Sequence, residues 1–313
     1  MTNVANPLLW LLTQSARRGS LLLAVGIFGG AVFPPLAAAF HPIVAPLVFG
    51  MMTLIFLRVD FEAALAHLRR PGRVGLIVAA ELLVSPLVMA ALVGPLGLDR
   101  GISAGLVLFA AGCAATSSPA FARMVGLDPE LSLVVSLVTT FLVPLTAPPL
   151  AIWLTGVDLA IGAGAFSARL LLIVGLPAAL SLLVRRLVGP ARLERWAEAV
   201  DGALVWLVVG YGFGVMDGLQ ARLAADPEWV VIALSAAFLA DYGLNVLTTL
   251  ALWPLGRVPA ASAGLMAGNR NMALFLAVLP SSGDPRVPLF FALCQFPLFL
   301  SPFLLRPLYR RLV

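Results

Sequence analysis

The chain has 313 residues, of which 61% are hydrophobic and 11% charged, and its mean hydropathy is +1.03. That is far more apolar surface than a soluble domain of this size needs, so the composition indicates a polytopic membrane protein and excludes a water-soluble enzyme. The formal net charge is +5, but all 20 basic residues are arginines clustered in short segments between apolar runs; this is the orientation signal of a membrane protein and not a nucleic-acid-binding surface.

Pro7–Leu12 is apolar, contains Trp10 and is too short to span, which predicts an interfacial helix. Arg17 and Arg18 then precede the apolar run Ser20–Phe40, and Ala37-Ala38-Ala39 resembles a signal-peptide cleavage site. The run is longer than a signal-peptide core and further apolar segments follow at once, so it reads as an uncleaved first transmembrane helix. The next spans are predicted at Pro42–Leu57, Val74–Val93, Ile102–Ala122, Leu131–Leu154, Ala168–Val184, Ala203–Met216, Trp229–Trp253, Ala260–Leu279 and Val287–Leu305. The expected architecture is therefore all-α, with about ten transmembrane helices matched to the hydrocarbon thickness, in one integral membrane domain over residues 1–313. Trp153, Trp229 and Trp253 lie at predicted helix ends, where indole rings favour the interface. Cys113 and Cys294 fall inside apolar segments, which argues against a disulfide framework.

With the N-terminus inside, the inner loops carry most of the arginines, among them Arg69, Arg70, Arg185, Arg186 and Arg310, while the outer side carries Arg100, Arg169, Arg222 and Arg286. This bias predicts both termini in the cytoplasm, with the chain in the plasma (inner) membrane. The spans divide into two sets of about five, joined by the basic loop Arg185–Arg195, with repeat 1 at about 20–154 and repeat 2 at about 168–305. An odd number of helices per half forces opposite orientations, which is the arithmetic of an inverted repeat.

Each half has an irregular fourth helix. In the first it is Ala110–Met124, where Thr116, Ser117, Ser118 and Pro119 interrupt the run and Pro119 removes a backbone donor. In the second it is Ala260–Pro280, where Arg270 sits near the middle between Asn269 and Asn271. An arginine there costs about 2.5–3.5 kcal/mol on insertion scales, so it must face a partner or water. Irregular backbone at membrane depth is tolerated where it lines a cavity or is buried in protein, and corresponding breaks in two halves point to a transport site. The plainer alternatives are an interhelical salt bridge and a proline kink.

Glu81 in the third span and Asp241, with Asn245, in the eighth complete the intramembrane polar set. Two acids and one base sum to −1, so one proton would neutralise the set; that suits a proton-coupled carrier and equally a fixed bridge with one protonated acid. Ser132 and Ser136 are one turn apart and share a face, from which they could offer hydroxyls to a small cation beside Ser118, or bond back to their own helix. His41 and His67 lie at loop edges and read as interfacial. No metal-ligand spacing or nucleophile–base motif is present, so neither an enzyme nor a bound cofactor is expected.

The order of several short motifs resembles the bile acid:sodium symporter family over nearly the whole chain. They are Phe49-Gly50-Met51, Asp60-Phe61, Arg70-Pro71, Pro86, Gly112-Cys113, Thr116-Ser117-Ser118, Leu131-Ser132, Pro144 and Gly268-Asn269-Arg270-Asn271. The resemblance implies a panel domain and a core domain, two broken helices crossing at the transport site, and alternating access for a small organic anion as substrate, with the bilayer as the other partner and no nucleic acid. It implies sodium ions behind the crossing, with Ser118, Ser132 and Ser136 keeping hydroxyls at sodium-site positions. Where the family has Asn, Glu, Gln and Gln, this chain has Pro119, Met266, Glu81 and Arg270. The last two place an acid and a base at positions that in the family serve one sodium site. The expectation is that sodium coupling is weakened, or replaced by protons through Glu81 or Asp241. A related carrier of arsenite type, with Cys113 in the fourth helix, and a non-transporting sensor or scaffold of carrier fold are the alternatives.

Overall fold

The computed structural model describes residues 7–59, 71–155, 161–280 and 283–312, with Ser20 and Leu21 described for their backbone alone. His67, Arg69, Arg70 and the Asp60-Phe61 motif lie outside them. The described residues are helical apart from turns and one isolated β-bridge. Among them, seven helices are long and apolar enough to cross a membrane: Pro34–Arg58, Pro71–Leu96, Pro129–Thr155, Ala163–Val188, Ala197–Ala225, Pro227–Ala251 and Arg286–Leu304.

Three expected spans are broken, and a fourth, Val287–Leu305, has only a one-residue turn at Cys294. Ser20–Phe40 is split, because α2 (Gly19–Val32) ends at Phe33, and α3 (Pro34–Phe40) begins with two prolines. Proline suits a first helical turn and cannot continue a preceding helix. From Pro34 the chain runs through a 3₁₀ turn into α4 (Val44–Arg58), so the boundary between the first two apolar segments falls at Phe33 and not at His41. The other two interruptions, in Ile102–Ala122 and Ala260–Leu279, form the site described below. The amino-terminal helix α1 (Pro7–Arg17) is longer than the predicted interfacial segment and leaves Leu8 and Trp10 exposed.

The chain divides into two compact units. Unit 1 comprises Met1–Val59 and Leu172–Ala225. It holds α1 to α4, the later part of α10 (Ala163–Val188), α11 (Pro190–Arg195), α12 (Ala197–Val215) and α13 (Leu219–Ala225). Its helices approach to backbone contact: a Cβ on Gly30 would stand 2.8 Å from the Cα and carbonyl oxygen of Phe213. Polar side chains close the helix ends. Gln220 Nε2 donates to the carbonyls of Ala31 (2.9 Å) and Val32 (2.8 Å) where α2 stops. The Arg185 guanidinium donates to Leu57 O at 2.9 and 3.1 Å and to Val59 O at the end of α4. Each satisfies carbonyls that have no partner within the helix.

Unit 2 comprises Asp60–Leu171 and Asp226–Val313. Its described helices begin with α5 (Pro71–Ala79), a five-residue π segment Ala80–Val84, and α6 (Ser85–Val93). They continue with α7 (Arg100–Ala111), α8 (Ser118–Val125), α9 (Pro129–Thr155) and the start of α10. After residue 226 come α14 (Pro227–Ala251), α15 (Arg257–Gly268), α16 (Met272–Val278), α17 (Arg286–Leu293), α18 (Gln295–Leu304) and α19 (Arg306–Leu312). Residues 104–111 of α7 and 260–268 of α15 are buried on every face. A helix apolar all round belongs inside a bundle, and these two carry the chain into the site. At one end of the unit Asp99 caps α7, accepting from Gly101 N (2.9 Å) and Ile102 N (3.3 Å), and pairs with Arg286. Trp229, expected at the interface, is instead 5% exposed and donates its indole N–H to Asp99 at 3.2 Å. Trp153 and Trp253 are exposed.

Candidate functional site

The site is where α7–α8 and α15–α16 are interrupted. In the first, the helix ends at Ala111; Gly112 is extended (φ −66°, ψ 159°), and α8 begins at Ser118. The break therefore lies at residues 112–117: of the expected interruption, Thr116 and Ser117 fall inside it, whereas Ser118 and Pro119 already belong to α8. Pro119 sits in the first turn of α8, where a missing N–H leaves no helix bond unmade. In the second, α15 ends at Gly268, and Asn269 (φ −82°, ψ 92°) and Asn271 (φ −85°, ψ 83°) are non-helical.

The two breaks pair with each other. Ala114 and Arg270 form an antiparallel β-bridge. Ala115 N–H donates to Asn269 O at 2.8 Å, and Asn271 N–H donates to Cys113 O at 2.9 Å. Backbone groups freed from two helices are thus satisfied by one another, which membrane depth demands. Thr139 on α9 accepts the Ala114 N–H at 3.2 Å.

Among the described residues Arg270 is the largest fully buried side chain, at 1% exposure. Its Nε donates to Ala267 O (2.7 Å), Nη1 to Gly112 O (2.8 Å) and Nη2 to Ser85 Oγ (3.2 Å). One guanidinium therefore closes the carbonyl ends of both interrupted helices, a task that needs a planar fork of donors. Nη1 also lies 3.5 Å from Glu81 Oε2, and both side chains are fully buried. That is an ion pair but a long one, and neither Glu81 oxygen accepts a hydrogen bond. Glu81 stands in the π segment, where Ser85 N–H reaches back to Ala80 O. Pro86 supplies no backbone N–H there, and the wider turn presents Glu81 inward; such bulges recur at functional sites.

Asp241 on α14 is also fully buried, and both its carboxylate oxygens lack a hydrogen-bond partner. It packs on Gly268, where an added Cβ would stand 2.8 Å from Oδ1 and 2.5 Å from its carbonyl oxygen. Asn269 Oδ1 accepts from Ser301 Oγ at 2.8 Å, while the Nδ2 groups of Asn269 and Asn271 are buried without partners. Ser118 is buried with its hydroxyl unpartnered, and Thr116 and Ser117 form the half-buried turn before it. Ser132 Oγ donates to Asp128 O (2.8 Å) and Ser136 Oγ to Leu133 O (3.0 Å), so both hydroxyls are tied to their own helix. Among the described residues no group of acidic, histidine or cysteine side chains forms a metal-binding cluster. Cys113 and Cys294 are buried free thiols. His41 is largely exposed, 3.8 Å from Asp217.

The structure thus joins Glu81 to Arg270, and it joins Arg270 to the first break. Sequence reasoning missed Ser85, Thr139 and Ser301. Ser85 lies one turn after Glu81, and Thr139 and Thr140 continue the Ser132–Ser136 face, so helical spacing could have found both. Ser301 carries no comparable signal.

The sequence model described as the Sodium Bile acid symporter family matches residues 45–213, more than half of the chain. The match takes in Glu81, the first break, Ser132 and Ser136, and ends before Asp241 and Arg270. No curated protein matches the chain.

Proposed function

The chain belongs to the sodium bile acid symporter family, and from that premise we propose that it is a secondary carrier of a small organic anion, coupled to protons in place of sodium. Membership makes it a membrane transporter of the bile acid symporter type and not an enzyme. Counting each interrupted pair as one crossing gives about ten membrane passages in two inverted sets. Unit 1 draws on the first two passages of each set and unit 2 on the remaining three, as a panel and a core related by an inverted repeat would. Alternating access then exposes the paired breaks to each side in turn.

One observation carries the coupling reading: the Arg270 guanidinium lies beside Glu81, with its donors on Gly112, Ala267 and Ser85. By family resemblance, Glu81 and Arg270 stand where side chains would serve a sodium ion. A fixed cation there repels a second one. Ser132 and Ser136 tie their hydroxyl hydrogens to helix carbonyls, but their oxygens keep lone pairs, so a weak residual cation site near Ser118 is compatible with this reading.

The test is thermal melting of the purified chain in sodium against choline, at two pH values. The wild type is expected to respond to pH and at most weakly to sodium. The double exchange Glu81→Gln with Arg270→Gln is expected to gain a larger sodium-dependent rise in Tm. A wild-type sodium response equal to that of the double variant, or none in the double variant, would sink the proposal.

A further inference from the structure

Among the described residues, the two fully buried carboxylates of unit 2 have opposite surroundings. Glu81 has a cation 3.5 Å away. Asp241 forms no ion pair and accepts no hydrogen bond among the described residues. Its Oδ1 is pressed against Gly268, the last residue of α15. A helix end of this kind offers carbonyl oxygens and the negative pole of the helix, and no N–H donors. An ionised carboxylate is poorly received there, whereas the O–H of a neutral acid finds acceptors.

The groups that interact electrostatically with Asp241 come from four elements. They are Arg270 in the second break, Cys294 at the start of α18, Tyr309 on α19, and Tyr242 on its own helix. Arg270 is the one cation among them, and it is engaged by Glu81, two carbonyls and Ser85. Tyr309 is buried and receives the Asn245 amide N–H at 2.5 Å, one helical turn from Asp241. It stacks a hydrogen-bonded pair beside the acid without donating to it.

We infer that Asp241 is the residue that takes up and releases the coupling proton, while Glu81 stays ionised as the standing counter-ion of Arg270. The step is a single proton transfer. A hydronium ion gives its proton to one Asp241 oxygen and leaves as water, and the charge of the Glu81–Asp241–Arg270 set goes from −1 to 0. Release on the other side reverses it. This deepens the proton-coupled reading above and rests on it.

Infrared difference spectroscopy between acid and alkaline samples of the reconstituted full chain tests it, since a buried neutral carboxyl group absorbs apart from hydrated ones. The wild type is expected to show a buried carboxyl band that disappears on alkalinisation. Asp241→Asn should lose the band. Glu81→Gln with Arg270→Gln should keep it, and that pair of changes removes the acid without stranding the cation. Asp241→Glu should retain a displaced band, which checks the assignment in a variant that keeps the acid should Asp241→Asn fold poorly. A band that survives Asp241→Asn and vanishes with Glu81 overturns the assignment and leaves proton coupling standing. A wild type with no titrating buried band overturns both.

Discussion

Arg185 in unit 1 and Arg270 in unit 2 do the same local job in different media. Each lays a guanidinium across carbonyls that a helix end leaves unpaired: Arg185 on Leu57 and Val59, Arg270 on Ala267 and Gly112. Arg185 is half-buried near one end of its unit, and unit 1 otherwise closes its helix ends with neutral groups such as Gln220. Arg270 is wholly buried, and the same unit holds buried polar atoms that make no hydrogen bond: both Glu81 oxygens, both Asp241 oxygens, Ser118 Oγ and the amide nitrogens of Asn269 and Asn271. Unit 1 ties helix ends with paired donors, whereas unit 2 gathers two buried acids, an arginine and two amides about its breaks.

That contrast yields a ranking of arginines by burial. Arg270→Ala should cost the most, about 3–5 kcal/mol, because it strands buried Glu81 and reopens two carbonyl ends. Chemical or thermal unfolding in detergent reads this out, and a loss no larger than that of an exposed arginine would erase the distinction between the units. Arg185→Ala should cost about 1.5–3 kcal/mol, the range for hydrogen bonds from a charged donor, and should leave any pH response untouched. Arg58 pairs with Asp201 at 3.0 Å, but the two side chains are 36% and 45% exposed. Arg58→Ala should therefore cost about 0–1 kcal/mol and be the most salt-sensitive of the three. If Arg58→Ala and Arg185→Ala were indistinguishable, capping of α4 would contribute nothing beyond surface charge.

Hydropathy made the membrane class legible, because apolar runs of bilayer length need no tertiary information. It also located both irregular helices, since Arg270 and the Ser-Ser-Pro stretch stand out against an apolar background. It misplaced their details for a physical reason. Pro119 looks like the breaker, yet proline is harmless in a first turn, and the chain leaves the helix at Gly112 because a partner backbone at 269–271 is available to replace the lost bonds. The first span was misjudged for the converse reason: Pro34 and Pro35 begin a helix there, so the apolar run conceals a boundary. The Glu81–Arg270 pair could be conceived from charge balance, but the guanidinium's grip on two helix ends could not, because it depends on which carbonyls the fold brings to one point. Trp229 shows the same limit, as a helix-end indole that unit 2 draws inward to Asp99.

The bridge between Ala114 and Arg270 joins main chain to main chain. The pairing of the two breaks is thus made in part by backbone groups that any residue but proline possesses, with Thr139 and the Arg270 guanidinium closing what the backbone leaves. On the proton-coupled proposal, the acid and base at positions 81 and 270 would refit the engine of such a carrier while the backbone pairing of its chassis stays in place.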